Sequence, residues 1–317
     1  MVVFYVVLIL LILYIVVFRL DLTPDPLPKD NHMDFRRNGE FRILQLSDIH
    51  LMFPFGKKFR KDTDTIRELV KDNKPDLVVI TGDIFLSPLN FIILDCIAMV
   101  MEDLKVQWSV TFGNHDSFIG LSRRRLIKRL VRYSNCKNTF CSEYPSRSNT
   151  LIRIFDHSGT PSFAVVLIDT GSFSLNRETL RIVHGGINDH LVEWYEESLM
   201  DSGASSNLIF CHYPVPEMVQ LYLNNEYVGT AGKIPSVVYN SDVMLYDAAK
   251  RNGAKGIFFA HDHKNDFSGF TGGMLLAYCR HTGSDIHKSS GSSPGGRVVI
   301  LRNKGMTVET SITEIKQ

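Results

Sequence analysis

Cysteine is scarce, five residues in 317. Their density and spacing are those of neither a disulfide scaffold nor a zinc ribbon, so an apolar core must hold the fold. An excess of charge of one sign is lacking too: 35 Lys and Arg stand against 34 Asp and Glu, a net charge of +1. That excludes a field-driven grip on nucleic acid, and no nucleic-acid partner is expected. No fixed-period repeat is visible, which excludes a solenoid or propeller. No Asn-x-Ser/Thr sequon with a permitted middle residue occurs, which excludes the usual N-glycan acceptor. What remains is a globular composition, 44% hydrophobic and 22% charged, on a chain long enough to bury a large core. Cys136 and Cys141 flank a short polar loop and could bridge in an oxidising compartment, whereas Cys96 and Cys211 lie in apolar runs and read as buried thiols.

Residues 1–18 carry only apolar or aromatic side chains and end at Arg19. At helical rise the run reaches across most of a hydrocarbon core. It lacks the basic start and the small residues at a cut that mark a cleavable signal peptide. Residues 1–19 are therefore expected to form an uncleaved, single-pass transmembrane helix, with the membrane as a partner. Arg19, Lys29, Arg36 and Arg37 follow the span and favour a cytosolic body. Residues 20–40, with Pro24, Pro26 and Pro28, suit an extended tether, and 41–317 are expected to form one catalytic domain.

Apolar runs of strand length, rich in β-branched and aromatic residues, cover 41–46, 77–80, 106–112, 163–168, 208–210 and 256–260. Segments 63–71, 89–104, 119–132 and 189–200 place apolar residues three and four apart, with charge opposite. The alternation predicts α/β layering. Closely spaced later strands near 275–278, 297–301 and 307–311 predict a second sheet.

Five short polar blocks each stand beyond an apolar run: Asp48-Ile49-His50, Gly82-Asp83, Gly113-Asn114-His115-Asp116, His212-Tyr213-Pro214 and His261-Asp262-His263. Carboxylates and imidazoles are the donors that borderline and hard divalent ions prefer, and pairs of such ions serve mainly to clamp an in-line displacement at phosphorus. Hydrolysis of a phosphate ester is the expected chemistry. Asp48 and His50, two apart at a strand end, can reach one ion. Gly82 lets the chain turn tightly and bring Asp83, the expected bridge between two ions, to a strand end. The amide oxygen of Asn114 suits a metal where another carboxylate would add negative charge, which leaves His115 for proton transfer. His212, His261 and His263 repeat the placement. Singly, a histidine after a strand is usually structural and a Gly-Asp a turn; five blocks in series are hard to reach by chance.

The series resembles the calcineurin-like metallophosphoesterase superfamily, and the stretches FRILQLSDIH, PDLVVITGD, FGNHD, CHYPVPE and HDHKNDFSG are similar to its purple acid phosphatase-like branch. The resemblance implies a four-layer α-β-β-α sandwich that binds two divalent or trivalent ions of iron, manganese or zinc. It implies Asp48, His50 and His263 on one ion, Asn114, His212 and His261 on the other, Asp83 between them, and His115 as the general acid acting on a phosphorylated substrate. Members of the family often carry the body on the opposite side of the membrane from the one the basic residues favour. Three departures stand out. Leu86 occupies the position where purple acid phosphatases carry a tyrosine, so no tyrosinate ligand or purple absorption band is expected and His50 is expected to substitute. Ala260 stands where the family usually has glycine before the His-x-His pair, which matters only if φ is positive there. The segment Cys279-Arg280-His281 differs from the expected glycine-rich form.

The expected mechanism is in-line attack by a hydroxide bridging the two ions. His115, oriented by Asp48 or Asp116, would protonate the leaving oxygen. The competing reading is a catalytically silent scaffold of the same fold that binds a protein at a membrane; retention of all seven ligand positions and of His115 weighs against it. The basic stretch 122–132, with Arg123, Arg124, Arg125, Lys128, Arg129 and Arg132, reads as the solvated face of an ordinary helix, with a polyanion or acidic lipid as the alternative. The connection 214–241 and the Ser/Gly-rich stretch 282–296 are candidates for substrate specificity. His157, His184, His190 and His281 read as structural or solvent-exposed, with His281 able to line the cleft.

Overall fold

The structure is a computed structural model that describes residues 2–19, 24–27, 29, 31–140, 148–172, 174–176, 181–183, 186–237, 244–284, 291–304 and 306–315. The Cys136–Cys141 pairing, His184, the end of segment 214–241 and the middle of segment 282–296 lie outside the described residues. The first half of the chain runs α1 (Val2–Tyr14), β1 (His32–Asp34), β2 (Glu40–Leu46), α2 (Gly56–Asn73), β3 (Leu77–Thr81), α3 (Asn90–Asp103), β4 (Gln107–Thr111), α4 (Arg123–Leu130), β5 (Thr150–Phe155) and β6 (Pro161–Ile168). The second half continues β7 (Ser174–Asn176), β8 (Arg181–Val183), α5 (Asp189–Ser202), β9 (Ser206–Cys211), α6 (Glu217–Asn224), α7 (Leu245–Arg251), β10 (Ala254–Phe259), β11 (Ser268–Thr271), β12 (Met274–Tyr278), β13 (Gly295–Arg302) and β14 (Thr307–Glu314).

Two sheets carry the body, in the orders β14-β13-β2-β3-β4 and β1-β5-β6-β9-β10-β12-β11. Strands β2, β3 and β4 are parallel, as are β6, β9 and β10. The period-two alternation of β2 explains the layering. Phe41 and Ile43 pack between the sheets, Leu44 and Leu46 pack against helices, and all four are fully buried. One helical core unites β2 and β3 with α2, α3 and α4, and another unites β6, β9, β10 and β12 with α5, α6 and α7. Between the sheets, Phe163, Phe210 and Phe258 fill the third core, with the rings of Phe210 and Phe258 stacked at 4.9 Å. The layers run helix, sheet, sheet, helix.

Several expectations need correction. The apolar N-terminal run gives the expected transmembrane helix no support. Its α-helical part stops at Tyr14, a π-helical stretch covers Ile15–Arg19, and no helix among the described residues is long and apolar enough to cross a membrane. The expected tether joins the body from Asn31 onward: β1 pairs with β5, and Phe35 is buried against Phe41 and Phe163. A three-residue strand carries too little alternation to be read without its partner. Helix α4 starts at Arg123, not Ile119, because the Asn90 side chain holds the loop before it, donating to the carbonyls of Asp116, Ile119 and Leu121 and accepting from the Leu121 amide. The basic face of α4 is paired, not merely solvated, since Arg129 meets Asp95 while Arg124 and Lys128 meet Asp25.

Truncating Phe258 removes one ring of the stacked pair from a site with no room to collapse. Phe258→Ala is expected to lower unfolding stability by about 3–5 kcal/mol, measured as a shift of the urea midpoint at constant m-value.

Candidate metal centre

Strand direction assembles the site. All five polar blocks follow the C-terminal ends of β2, β3, β4, β9 and β10, and parallel pairing within each sheet brings those ends to one side. The sheets are also fastened to each other there. Gln45 Nε2 donates to Phe259 O at 3.0 Å, Thr111 Oγ1 donates to Ile168 O at 2.8 Å, and His212 Nδ1 lies 2.9 Å from Thr81 O. The loops leave the strands abruptly. Asp48, His50, Asp83 and His261 all have positive φ, between 50° and 73°, a conformation uncommon for residues with a Cβ and concentrated at functional sites. Ala260 is not among the positive-φ residues, so the loss of glycine there leaves no strain. Gly82 does need its freedom: φ is 88°, and a Cβ would lie 2.3 Å from Gly113 N. A Cβ on Gly113 would lie 2.2 Å from Asp83 Oδ1, so the two loops touch through glycine on both sides.

The predicted residues converge. Asp48, His50 and His263 form one group whose ligand atoms lie within 4.8 Å of one another, and Asp83, His212 and His261 form a second. Asn114 joins the second group, with Oδ1 3.1 Å from His212 Nε2. In the first group His50 Nε2 and His263 Nε2 face each other at 3.2 Å, and His263 Nε2 lies 3.5 Å from Asp48 Oδ1. Asp83 Oδ2 sits between the groups, 3.6 Å from His50 Nε2, 3.4 Å from His212 Nε2 and 3.9 Å from His115 Nε2. Donors bonded to one cation at about 2.0–2.2 Å stand roughly 3.0–3.5 Å apart, so these separations match the edges of a coordination polyhedron. Asp48 Oδ1 is buried with no hydrogen-bond partner among the described residues, a condition that metal coordination would relieve. The donor set therefore fits a pair of cations.

The surrounding hydrogen bonds hold this arrangement. His212 Nδ1 faces a carbonyl, which can only accept, so Nδ1 carries a proton and Nε2 is aimed at Asp83 and Asn114. Asp116, expected as a partner for the His115 ring, instead serves the backbone. Its oxygens accept from the amides of Asp83, Ile84, Phe85 and Gly113 at 2.7–3.1 Å. One carboxylate thus ties the β3 loop to the β4 loop. Asp83 Oδ1 accepts from the His115 amide at 2.9 Å. Arg123, read from the sequence as part of a basic surface, turns inward to Asp169, Ser117 Oγ and the Gly113 carbonyl. Asp169 carries no sequence signal of its own; a carboxylate at the end of the buried strand β6 was the available clue.

A family profile described as calcineurin-like phosphoesterase matches residues 41–265. The chain is 22% identical over 309 residues to "Probable inactive purple acid phosphatase 14" of Arabidopsis thaliana, covering 84% of this chain and 76% of that protein. To "Probable inactive purple acid phosphatase 29" of the same plant it is 23% identical over 313 residues, covering 84% and 78%. To "Phosphatase DCR2" of Saccharomyces cerevisiae it is 24% identical over 273 residues, covering 72% of this chain and 45% of that one. Among solved structures, TT1561 of Thermus thermophilus superposes with a TM-score of 0.48 at 11% identity over 86% of this chain and 98% of that one. Purple acid phosphatase PPD1 from yellow lupin seeds does so with 0.45 at 12% identity over 91% and 55%.

The electrostatics of the side-chain set favour cations. Burial lowers the imidazole pKa of His50 to about 4, and burial followed by His212 lowers His261 to about 4, so both are neutral donors near pH 7. Burial would push the Asp83 carboxyl up, but the charge of His212 beside it holds it well below the ordinary value. Burial alone would also lower His212, yet Asp83, then Asp48, push it up to about 9. In metal-free protein His212 therefore adds stability below about pH 6.5 that is lost as pH rises through about 9. Cation uptake must displace that proton. The apparent affinity of metal-free protein for Zn²⁺ is expected to climb roughly tenfold per pH unit between pH 7 and about 9 and then level off. Chelator competition across that range checks it, and a flat profile removes His212 from the ligand set.

Proposed function

Because the chain belongs to the calcineurin-like phosphoesterase family, we propose that it is a dinuclear metal-dependent hydrolase of phosphate esters. The observation that carries this reading is Asp83 Oδ2, held within 3.4–3.9 Å of imidazole nitrogens from three separate loops. Asp48, His50 and His263 would hold one cation, Asn114, His212 and His261 the other, and Asp83 both. Bound there, the cations would supply Lewis acidity, lowering the pKa of a water and neutralising phosphoryl oxygens.

The chain's own residues supply the rest. His115 belongs to neither three-residue group, and its side chain is about one-third exposed at the open side of the site. Its ring would give the proton that a departing alkoxide needs. The bond from its backbone amide to Asp83 Oδ1 ties the position of the acid to the shared carboxylate. Asp116 and Arg123 both bond to Gly113 of the same loop, which ties the acid's loop to the ligands. The rival reading, a silent scaffold of the same fold, is favoured by the printed names of the two Arabidopsis relatives. Against it stands a full donor set in this chain, together with the phosphatase named among its yeast relatives.

Two substitutions separate the readings. His115→Ala is expected to retain both ions and to lose about a hundredfold to ten-thousandfold in turnover on an alkyl ester. The loss should be smaller on nitrophenyl phosphate, whose leaving group needs no proton; equal losses on both substrates count against a general acid. Asp83→Ala is expected to drop the metal content from two equivalents to below one by elemental analysis, with activity falling in parallel. Two ions retained in that variant would sink the bridge.

A further inference from the structure

Large apolar side chains are exposed beside the metal loops. The side chains of His50, His115 and His263 are 16%, 32% and 30% exposed and mark where a substrate would enter, while Asp48, Asp83 and His212 are almost fully buried. Met52, Phe53 and Phe55 follow His50 within five residues and are 53%, 53% and 67% exposed. Phe118 follows His115 by three residues and is 51% exposed. Three residues of chain reach at most about 11 Å, so Phe53 and Phe118 cannot stray far from the metal loops. Ile234 is 57% exposed. Its segment is strapped to the His261-Asp262-His263 loop: Ser236 N donates to Asp262 Oδ2 at 2.8 Å, and Lys233 N donates to Asn265 Oδ1 at 3.1 Å. These five residues are half of the ten large apolar side chains exposed after residue 50 among the described residues. Apolar residues scattered singly over a surface carry no message, but a cluster beside a polar cleft marks a contact.

Lys58 meets Asp62 and Lys233 meets Asp262, while Lys264, next to His263, is exposed. The rim therefore offers apolar area beside a lysine. The rings of Phe53 and Phe55 lie 5.6 Å apart at 30°, presenting flat faces.

We infer that the cleft selects phosphate esters whose ester group is apolar, an aryl or alkyl group resting on Phe53, Phe55, Phe118 and Ile234, over esters of sugars and other polar alcohols. This deepens the phosphoesterase reading and rests on it for the phosphoryl half alone. The test is binding of alkylphosphonates, from methyl to hexyl, to the Mn²⁺-loaded full chain by calorimetry. The dissociation constant is expected to fall about two- to fourfold per added methylene up to at least butyl. The double substitution Phe53→Ser, Phe55→Ser is expected to flatten that slope with metal content unchanged; both rings are exposed, so folding does not depend on them. Phenylphosphonate against hexylphosphonate tells an aryl preference from an alkyl one. A flat series in the wild-type chain, an unaltered slope in the variant, or no binding at any length overturns the inference. So does a flat series together with phosphatidylcholine vesicle binding that the double variant loses, which would assign the rim to a membrane surface. Failure of the parent reading shows separately: a chain-length slope without ester hydrolysis keeps the rim and removes the enzyme, whereas hydrolysis with a flat slope does the reverse.

Discussion

The Asp116 carboxylate is the constraint on which the site depends. By accepting four backbone amides from the loops after β3 and β4, it holds Gly82 against Gly113 at a distance that excludes any side chain. That contact sets where Asp83 stands relative to His115 and Asn114. Burial, then the negative charge of Asp83, push the Asp116 carboxyl up to about 7 against those amides and Arg123. Two carboxylates buried side by side are tolerable because one is wrapped in N–H donors while the other faces imidazoles, whose charge a cation would replace.

The backbone carries a matching tension. Four of the candidate ligands sit in the left-handed region, each at a cost of order 1–3 kcal/mol. The scaffold beneath is suited to hold them: buried strands of both sheets meet across an aromatic layer, and hydrogen bonds from Gln45, Thr111 and His212 join the sheets at the end where the site lies. Strain at the strand ends aims side chains that an ordinary turn would send outward. The rigidity of the layers below keeps them aimed.

Much of this was legible in the residues, for a physical reason. Buried parallel strands need continuous apolar runs, and chemistry at their ends needs polar residues just beyond, so both signals fall next to each other in the chain. The five blocks after β2, β3, β4, β9 and β10 are of that kind. Harder to read were elements whose partner is remote. Strand β1 is ordered by β5, and the start of α4 by the Asn90 side chain. The same limit applied to Arg123, whose basic neighbours masked its inward course to Asp169, and to Asp116, whose role is visible only once its four donors are in place. In the apolar N-terminal run composition suggested one long helix, and the helical geometry changes from α to π after Tyr14.

The sequence by itself determined the inventory: which donors exist, that each follows a strand, and that the layers are α/β. Those properties are local, set by side-chain chemistry and by the period of the apolar pattern. Only the tertiary structure decided that Asp83 Oδ2 is shared among three imidazoles and that Asp116 accepts from the amides of both loops. Each of these rests on residues tens to hundreds of positions apart meeting within a few ångströms, and a linear pattern carries no record of such distances.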